Sequence, residues 1–250
     1  MTQFSNQLRQ WRQTRRFSQL DLALEANVSA RHISFLETGR ARPSREMIVQ
    51  LGEALTVPLA ARNQMLAAMG FTPRYETRNW DEADMIPMQS AIDRTLERHA
   101  PYPGIAIDRL WSLTGMNAPA RKMFGMLGMV EGSSLLDNLN NPVMWEMIEN
   151  WPEVAYHSML RLRTESAAQG GVAELDAAAV ALSEHAQIGS NTGPIVPTVF
   201  RIGDQRLAMF GTIAQFGTAE DIALEELKIE LFFPLDASTE TALKAMFEED

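Results

Sequence analysis

Apolar residues in the first seventy positions recur every three or four residues, which is the spacing of amphipathic helices. Ser18 and Ser29 each precede such a pattern and are good N-caps, and Gly39 is a good residue to end the helix that starts after Ser29. Asn27 breaks the pattern between these two helices, and asparagine tolerates the left-handed conformation of a tight turn. The sequence therefore predicts a chain of short helices, the last over about residues 60–69, with a helix-turn-helix unit among them.

The pattern changes after this helical part, where runs of alternating apolar and polar residues lie between helical stretches. A stretch with Pro73, Trp80 and Pro87 separates the two parts and is typical of a linker. Pro152 falls inside a long apolar pattern and is expected to kink or divide that helix. We expect helices over about 87–99, from 117, over 142–168, 172–186 and 238–247, and strands over about 105–110, 111–115, 198–202, 206–215 and 227–233. Helices mixed with mainly antiparallel strands make an α+β domain.

Length, composition and charge indicate two domains of different kinds. The chain has 250 residues, 46% of them hydrophobic and 22% charged, which is the balance of a folded protein and excludes a disordered one. It has no cysteine for a disulfide or a zinc site, and no apolar run typical of a membrane span or a secretory signal, so we expect a cytoplasmic protein. Residues 1–70 carry nine arginines and five acids, a net charge of +4, whereas residues 71–250 carry −14. A basic module on an acidic body fits contact with a polyanion.

The motifs of the helical part resemble those of the Xre/phage-repressor family of DNA-binding domains. The matching residues lie between Ser18 and Leu55, and they are Ser18-Gln19, Leu22-Ala23, Val28-Ser29, Ile33-Ser34, Leu36-Glu37, Gly39-Arg40, Pro43-Ser44 and Leu55. Asn27 departs from the family pattern, which usually has glycine there, but asparagine can form the same turn. The resemblance implies an all-α, lambda-repressor-like helix-turn-helix domain over residues 1–70. It also implies a structural ion pair between Arg12 and Glu37.

The second helix of such a unit enters the major groove with its N-terminus first. The candidates for DNA contact are the residues at the start of that helix and the polar side chains around it: Gln19, Ser29, Ala30, Arg31, His32, Ser34, Arg40 and Arg42. Arg31 can donate two hydrogen bonds to guanine, whereas Gln19 and the last two arginines suit the phosphate backbone. His32 is open between a base contact, a phosphate contact and a solvated side chain. Arg15 and Arg16 are open between DNA and solvent.

The rest of the chain carries two further resemblances. Residues 105–125 run as a strand, Asp-Arg, a second strand, Asn-Ala-Pro-Ala and Phe-Gly, which is similar to the start of PAS domains. Nearly the whole chain resembles the MmyB-like branch of Xre regulators, at Arg31 to Arg40, Pro101-Tyr-Pro, Ile107-Asp-Arg-Leu-Trp111, Asn150-Trp151, Arg161-Leu-Arg163, Phe216-Gly-Thr-Ala219, Leu227-Lys-Ile-Glu230 and Phe232-Phe-Pro234. After the linker that the composition predicts over 71–90, the resemblance implies that the α+β domain over 91–250 is PAS-like and binds a fatty-acid-type ligand.

Candidates for ligand contact cluster in one stretch, because seven of the fifteen methionines lie between Met116 and Met159. Methionine fills adaptable cavities, but a methionine stripe at helical spacing is also ordinary core, and both interpretations stay open at this point. The candidates are the large apolar residues here and the cations that follow them: Met116, Phe124, Trp145, Trp151, Tyr156, His157 and Arg161. His157 and Arg161 lie four apart on one helix face and either meet a carboxylate or are solvated or salt-bridged.

The chain lacks the motifs of phosphate loops, dinucleotide sites, zinc peptidases and serine hydrolases, so we expect no catalytic residue, metal or cofactor. Haem bound through His99 or His157 is one alternative for the sensor. We expect a sequence-specific transcription regulator that binds a double-stranded DNA operator as a homodimer and senses a hydrophobic small molecule, without a membrane partner. Two other functions stay open. The C-terminal domain could serve only dimerisation or protein interaction, or the chain could be an enzyme with a DNA-binding appendage.

Overall fold

The computed structural model describes residues 2–189 and 193–247, which fold as two compact units. Unit one contains the described residues up to Thr77, together with Glu165–Val172 and Thr218–Glu225. Unit two contains Arg78–Thr164, Ala173–Gly217 and the described residues from Glu226 onward. Two short segments of the region that the sequence assigns to the C-terminal domain therefore fold with the N-terminal helices. The domain boundaries drawn at 70 and 90 stay a sequence prediction.

Unit one contains the short helices that the sequence predicts: α1 (Gln3–Thr14), α2 (Gln19–Glu25), α3 (Ala30–Thr38), α4 (Arg45–Ala54) and α5 (Leu59–Ala67). Ser18 caps α2 in a reciprocal capping box, and the Ser29 hydroxyl caps α3. Asn27 turns the chain between α2 and α3 at φ +48°, and Gly39 ends α3 at φ +76°. The predicted helix-turn-helix is therefore confirmed.

The core of unit one is formed by the apolar faces of all five helices. Its most deeply buried side chains are each at most 1% exposed, and they include Phe4, Leu8, Leu22, Ile33, Leu36, Ile48, Leu51 and Leu66. Burying a side chain of this size stabilises the fold by about 1.5–3 kcal/mol relative to leaving it in water. Leu20 and Leu24 on α2, by contrast, are 59% and 72% exposed. The apolar pattern of α2 is thus wider than its buried face.

The remaining chain alternates helices with antiparallel strands. The helices are α6 (Ile86–Arg98), α7 (Ala118–Gly125), α8 (Leu135–Leu139), α9 (Pro142–Met147), α10 (Trp151–Ala168), α11 (Ala173–Ser183), α12 (Ile222–Glu226) and α13 (Ala237–Phe247). The strands are β1 (Gly104–Ile107), β2 (Leu113–Met116), β3 (Thr198–Ile202), β4 (Gln205–Ala214) and β5 (Lys228–Pro234). This mixture confirms the predicted α+β class. Among the described residues, no helix is both long and apolar enough to cross a membrane.

Two predicted elements differ from the structure. The strand expected over 111–115 begins only at Leu113, because Trp111 adopts φ +61° after the preceding strand. The helix expected over 142–168 is divided, as foreseen, but the break lies at residues 148–150 and not at Pro152. Pro152 occupies the first turn of α10, where the backbone N–H that proline lacks has no helical partner anyway.

The five strands form one sheet in the order β2-β1-β5-β4-β3, and every neighbouring pair is antiparallel. Glu230 on β5 lies opposite Ile105 on β1 and Ile213 on β4, and Phe232 lies opposite Gly211. Because directly opposed residues point to the same side of a sheet, these residues share one face. The other face packs on α6 through the cluster that contains Ile92, Leu96, Ala106, Ile229 and Leu231.

The segment Glu165–Val172 of unit one is the end of α10 and the turn after it. The Arg15 Nη2 donates a hydrogen bond to the Ala168 carbonyl at 3.0 Å, while its Nε donates to the Leu55 carbonyl at 3.0 Å. The Gln10 side-chain amide donates to the Gly170 carbonyl at 3.4 Å. Arg15, which the sequence left open between DNA and solvent, is therefore bonded within unit one.

The segment Thr218–Glu225 meets the start of α5. Pro58 precedes that helix and offers no side-chain cap, and the Leu59 N–H instead donates to the Glu225 carboxylate at 2.8 Å. Burial raises the pKa of Glu225, although the hydrogen bond from Leu59 and the charge of Arg62 act in the opposite direction. Glu225 thus supplies from a distant part of the sequence the cap that α5 lacks locally.

Replacing Gly170 by alanine is expected to lower the free energy of unfolding of unit one by about 2–3 kcal/mol. Gly170 has φ +86°, and a Cβ there would lie 2.6 Å from the Trp11 ring, so strain adds to a steric clash. Gly171→Ala is the matched control, because Gly171 has φ +102° but no heavy atom within 4 Å of a Cβ. Strain alone should cost the control about 1–2 kcal/mol. Urea unfolding followed by circular dichroism measures both, and equal losses would contradict the predicted contact.

Candidate DNA-binding surface and ligand cavity

Helix α3 presents its N-terminal end to solvent. The Ser29 hydroxyl accepts a hydrogen bond from the His32 backbone N–H at 3.2 Å, which fixes the start of the helix. Arg31 is exposed, and its guanidinium carbon lies 5.1 Å from the centre of the Phe35 ring. Among the other candidates on α3, Ala30, His32 and Ser34 are half-buried. The Arg31 side chain thus points outward at the end of the helix that enters the groove in helix-turn-helix units.

The three side chains predicted to hold phosphates have different contacts within the protein. Arg40 is exposed directly after the residue that ends α3. Arg42 is also exposed, but its Nη2 donates to the Met69 carbonyl at 3.2 Å. The Gln19 side-chain amide donates to the Glu37 carboxylate at 2.8 Å. Gln19 and Arg42 would have to share or leave these bonds to reach DNA, and the DNA contacts of all three stay predictions.

Arg12 and Glu37 form the ion pair between helices that the resemblance implies. The Arg12 Nε and Nη2 donate to the two oxygens of the Glu37 carboxylate at 2.6 and 3.1 Å, and Nη1 donates to the Phe17 carbonyl at 2.8 Å. Burial alone would raise the pKa of Glu37, but hydrogen bonds from Arg12 and Gln19 and the charges of Arg12 and Arg9 hold it below its ordinary value. This pair braces α1 against α3 and is not available to DNA.

The second candidate site is a cavity of about 240 Å³ in unit two, slightly smaller than the usual small-molecule site. Its floor is the sheet face described above, with Ile105, Thr198, Phe200, Gly211, Ile213, Glu230 and Phe232. Its cover is formed by side chains from the loop after β1 and from the segment that runs from α7 to α10. These side chains are Trp111, Phe124, Leu135, Leu139, Met144, Ile148, Val154, Ser158 and Arg161. Most of these side chains are apolar, so the cavity suits a hydrophobic molecule.

Arg161 on α10 and Glu230 on β5 form an ion pair in this lining. Their side chains are 27% and 10% exposed, so the pair is largely shielded from water. The Arg161 guanidinium also lies over the Trp111 ring, with its central carbon 4.3 Å from the ring centre. Within the described lining, these two residues are the only charged ones. The charged side chains of the described lining therefore lie together, at a point where a head group can meet both a cation and a carboxylate.

The structure brings only some of the predicted ligand residues to the cavity. Phe124 and Arg161 line it. Five other candidates lie outside its described lining, and they are Met116, Trp145, Trp151, Tyr156 and His157. Trp145 stacks on Trp151 at 6.0 Å between ring centres and lies 4.1 Å from the His185 ring, so these indoles form a separate aromatic cluster. His157 is exposed one turn before Arg161.

Sequence reasoning placed only Phe124 and Arg161 of this lining at the site, and among the residues it did not place there are Trp111, Ser158 and Glu230. The sequence contains only a weak signal for Glu230, because Lys228 and Glu230 alternate with apolar residues and such alternation also fits a strand with one face in water. The partner of Glu230 was not visible, since Arg161 and Glu230 meet only through the packing of α10 on the sheet.

The two histidines of the haem alternative lie in different surroundings. The His99 Nε2 lies 2.7 Å from the Phe232 carbonyl, so this nitrogen carries a proton and donates. Burial lowers the pKa of His99, although the same hydrogen bond acts in the other direction. The exposed His157 is not part of the described cavity lining. Across residues 2–189 and 193–247, no cluster of three or more histidine, aspartate or glutamate side chains is arranged to hold a metal ion.

Two protein families match the chain. A helix-turn-helix domain family matches residues 3–65, and the MmyB-like transcription regulator ligand binding domain matches residues 88–246. Among solved structures, the PAS domain of BvgS from Bordetella pertussis is similar, with a TM-score of 0.33 and 12% sequence identity over 64% of this chain and 95% of that chain. No curated protein matches the chain.

The matched regions agree with the two sites. The helix-turn-helix match includes α3 and its exposed arginine, and the ligand-binding match includes the whole described lining of the cavity. Both families are binding domains of transcription regulators and not enzymes. Because the second match alone covers more than half of the 250 residues, the chain belongs to the MmyB-like transcription regulators, with a helix-turn-helix DNA-binding domain ahead of the ligand-binding domain.

Proposed function

We propose that this regulator acts in the cytoplasm as a homodimer on a DNA operator, and that its ligand is a hydrophobic small molecule of the fatty-acid type. The observation that carries the ligand class is the cavity over the sheet, which is apolar except for Arg161, Glu230 and two hydroxyl side chains. An acyl chain gains about 0.8 kcal/mol for each CH₂ that leaves water. A guanidinium is the usual protein partner of a carboxyl head group.

We propose a homodimer because one helix-turn-helix unit makes few contacts with base edges. One helix-turn-helix unit places a few side chains on base edges, and Arg31 is the outward-pointing side chain of α3 that is best suited to guanine. Useful affinity and specificity then require two units, on half-sites about one helical turn apart. A ligand changes transcription when it binds one conformation of the dimer better than another.

Filling the cavity should abolish ligand binding without unfolding the protein. Gly211 lies on the cavity floor, and a Cβ there would lie 3.7 Å from the Phe232 ring, which is ordinary contact. We expect Gly211→Phe to lose at least tenfold in affinity for dodecanoic acid, because its ring occupies the space for the chain. Thr212→Phe is the matched control, since Thr212 is exposed on the opposite face of the same strand. Titration of delipidated protein, followed by tryptophan fluorescence, measures both because Trp111 lines the cavity.

Native mass spectrometry of the purified wild type gives an independent readout, and we expect an additional mass of a few hundred daltons. If the two variants bind dodecanoic acid equally well, the ligand site is not this cavity. A clean mass, with no binding of fatty acids or fatty alcohols by the wild type, would instead favour a domain that serves only dimerisation or protein interaction.

A further inference from the structure

The charges in the cavity are already balanced before a ligand enters. Arg161 is engaged by Glu230 and lies over Trp111, and the described lining contains no other charged side chain. A ligand carboxylate at the same guanidinium would bring a second negative charge next to Glu230 in apolar surroundings. The position of Glu230 therefore bears on which head groups the cavity accepts.

We propose that an acid ligand binds in this cavity in its uncharged form, with one proton shared between its carboxyl group and Glu230, so that Glu230 determines the head-group selectivity. This inference rests on the proposed function, because it assumes that the cavity takes a fatty-acid-type ligand. It adds that the regulator responds to the protonated acid, and to uncharged analogues such as a fatty alcohol, more strongly than to the carboxylate.

Within the described lining, Glu230 has one charged neighbour, Arg161, and a second cation, Lys228, lies on the same face of the sheet outside that lining. β1 contributes Ile105 and β4 contributes Ile213 directly opposite it, and α10 contributes Arg161. Lys228 lies two residues earlier on β5, is buried opposite Ile107, and is outside the described lining. Glu230 itself is 8% exposed, so water provides little screening for a second carboxylate.

Two carboxylates beside one guanidinium cannot both stay ionised cheaply in such a site, because like charges a few ångströms apart favour protonation of one of them. A single proton turns the repulsion into a hydrogen bond between the two groups and leaves the net charge of the cavity unchanged. That proton belongs to the pair and not to either group alone. An alcohol head needs no proton uptake, since its hydroxyl can donate to Glu230 and accept from Arg161.

The test compares dodecanoic acid with dodecan-1-ol at pH 6, 7 and 8 on the full chain. The free acid is almost fully ionised in this range, so uptake of one proton on binding should weaken the wild-type affinity for the acid about tenfold for each pH unit. The affinity for the alcohol should not change. Glu230→Gln should remove the pH dependence and bind the acid at pH 8 at least tenfold more tightly than the wild type, because the ligand carboxylate is then no longer repelled by the Glu230 carboxylate.

Glu149→Gln is the matched control. Glu149 also pairs with arginine, accepting from Arg201 at 2.7 Å, but it lies on the surface and outside the described lining, so this variant should keep the wild-type slope. A wild-type affinity for the acid that is independent of pH, or a slope that Glu230→Gln retains, would overturn the inference. If Glu230→Gln fails to fold, the pH dependence of the wild-type affinity for the acid still tests the inference, because its absence would overturn it. If neither the acid nor the alcohol binds at any pH, the proposed function is wrong, and this inference is wrong with it.

Discussion

Arg12→Ala is expected to lower the free energy of unfolding of unit one by about 3 kcal/mol, because breaking a buried ion pair leaves an uncompensated charge. Glu37 is 0% exposed, and Arg12 occupies both of its carboxylate oxygens. After the substitution the carboxylate keeps the Gln19 amide, while the Arg9 guanidinium is 3.6 Å away on a partly exposed side chain. Neither contact replaces a bidentate partner. Urea unfolding followed by circular dichroism measures the loss.

The loss should depend on pH in a defined direction. The pKa of Glu37 is lowered in the folded protein, so the stability that its charge contributes is present above its unfolded pKa of about 4.3 and is lost as the pH falls through the lower folded value. The difference between wild type and Arg12→Ala should therefore be full at pH 7 and should shrink below about pH 4. A difference that stays constant down to pH 3 would mean that the arginine stabilises by packing and not by its charge.

Arg121→Ala supplies the comparison with an exposed ion pair. Arg121 and Glu131 are 2.8 Å apart, which is as close as many buried pairs, but their side chains are 57% and 49% exposed. Solvent screens such a pair, and its removal should cost less than about 1 kcal/mol. Equal losses for Arg121→Ala and Arg12→Ala would contradict the assignment of Arg12 as a structural brace.

The helix-turn-helix was predictable because its signals are local. A serine cap acts within one helical turn, and Asn27 and Gly39 each fix a single backbone conformation, so these residues specify helix ends without reference to the rest of the fold. The outward direction of Arg31 follows from the same periodicity that buries Ile33 and Leu36. Exposed Leu20 and Leu24 show the limit of this reasoning, because a helical pattern cannot tell which apolar positions find a neighbour.

The ligand cavity was only partly predictable because it is assembled over long sequence distances. Ile105 and Glu230 are directly opposite each other on the neighbouring strands β1 and β5, although they are far apart in the sequence. Arg161 contacts Glu230 from α10, a helix that lies between these strands in the sequence. Periodicity showed that the segment around Trp145 and Trp151 is apolar, but not that these indoles stack in a separate cluster. The two segments that join the N-terminal helices were missed for the same reason, since no local signal links Glu225 to the start of α5.

Arg31→Ala is expected to weaken binding to the preferred DNA sequence by about 1–3 kcal/mol, which corresponds to about 5- to 150-fold in affinity, because it removes a bidentate contact to guanine. The side chain is exposed, and its guanidinium lies over the Phe35 ring, so its removal should leave the free energy of unfolding within about 0.5 kcal/mol of the wild type. The preferred sequence is first selected from random duplex DNA with the wild-type protein. Gel-shift titrations then measure the affinity for that sequence and for a scrambled one.

Arg40→Ala is the matched control in the same experiment, because Arg40 is an exposed arginine that we assign to the phosphate backbone. It should weaken binding to the selected and scrambled sequences by similar factors and make the salt dependence of the affinity shallower by about one unit in the log–log slope. Arg31→Ala should instead act mainly on the selected sequence and relax the preference for guanine at one position. If Arg31→Ala weakens both sequences equally, Arg31 holds a phosphate and the base contact lies elsewhere on α3. If neither variant changes binding, the exposed end of α3 is not the surface that reads DNA.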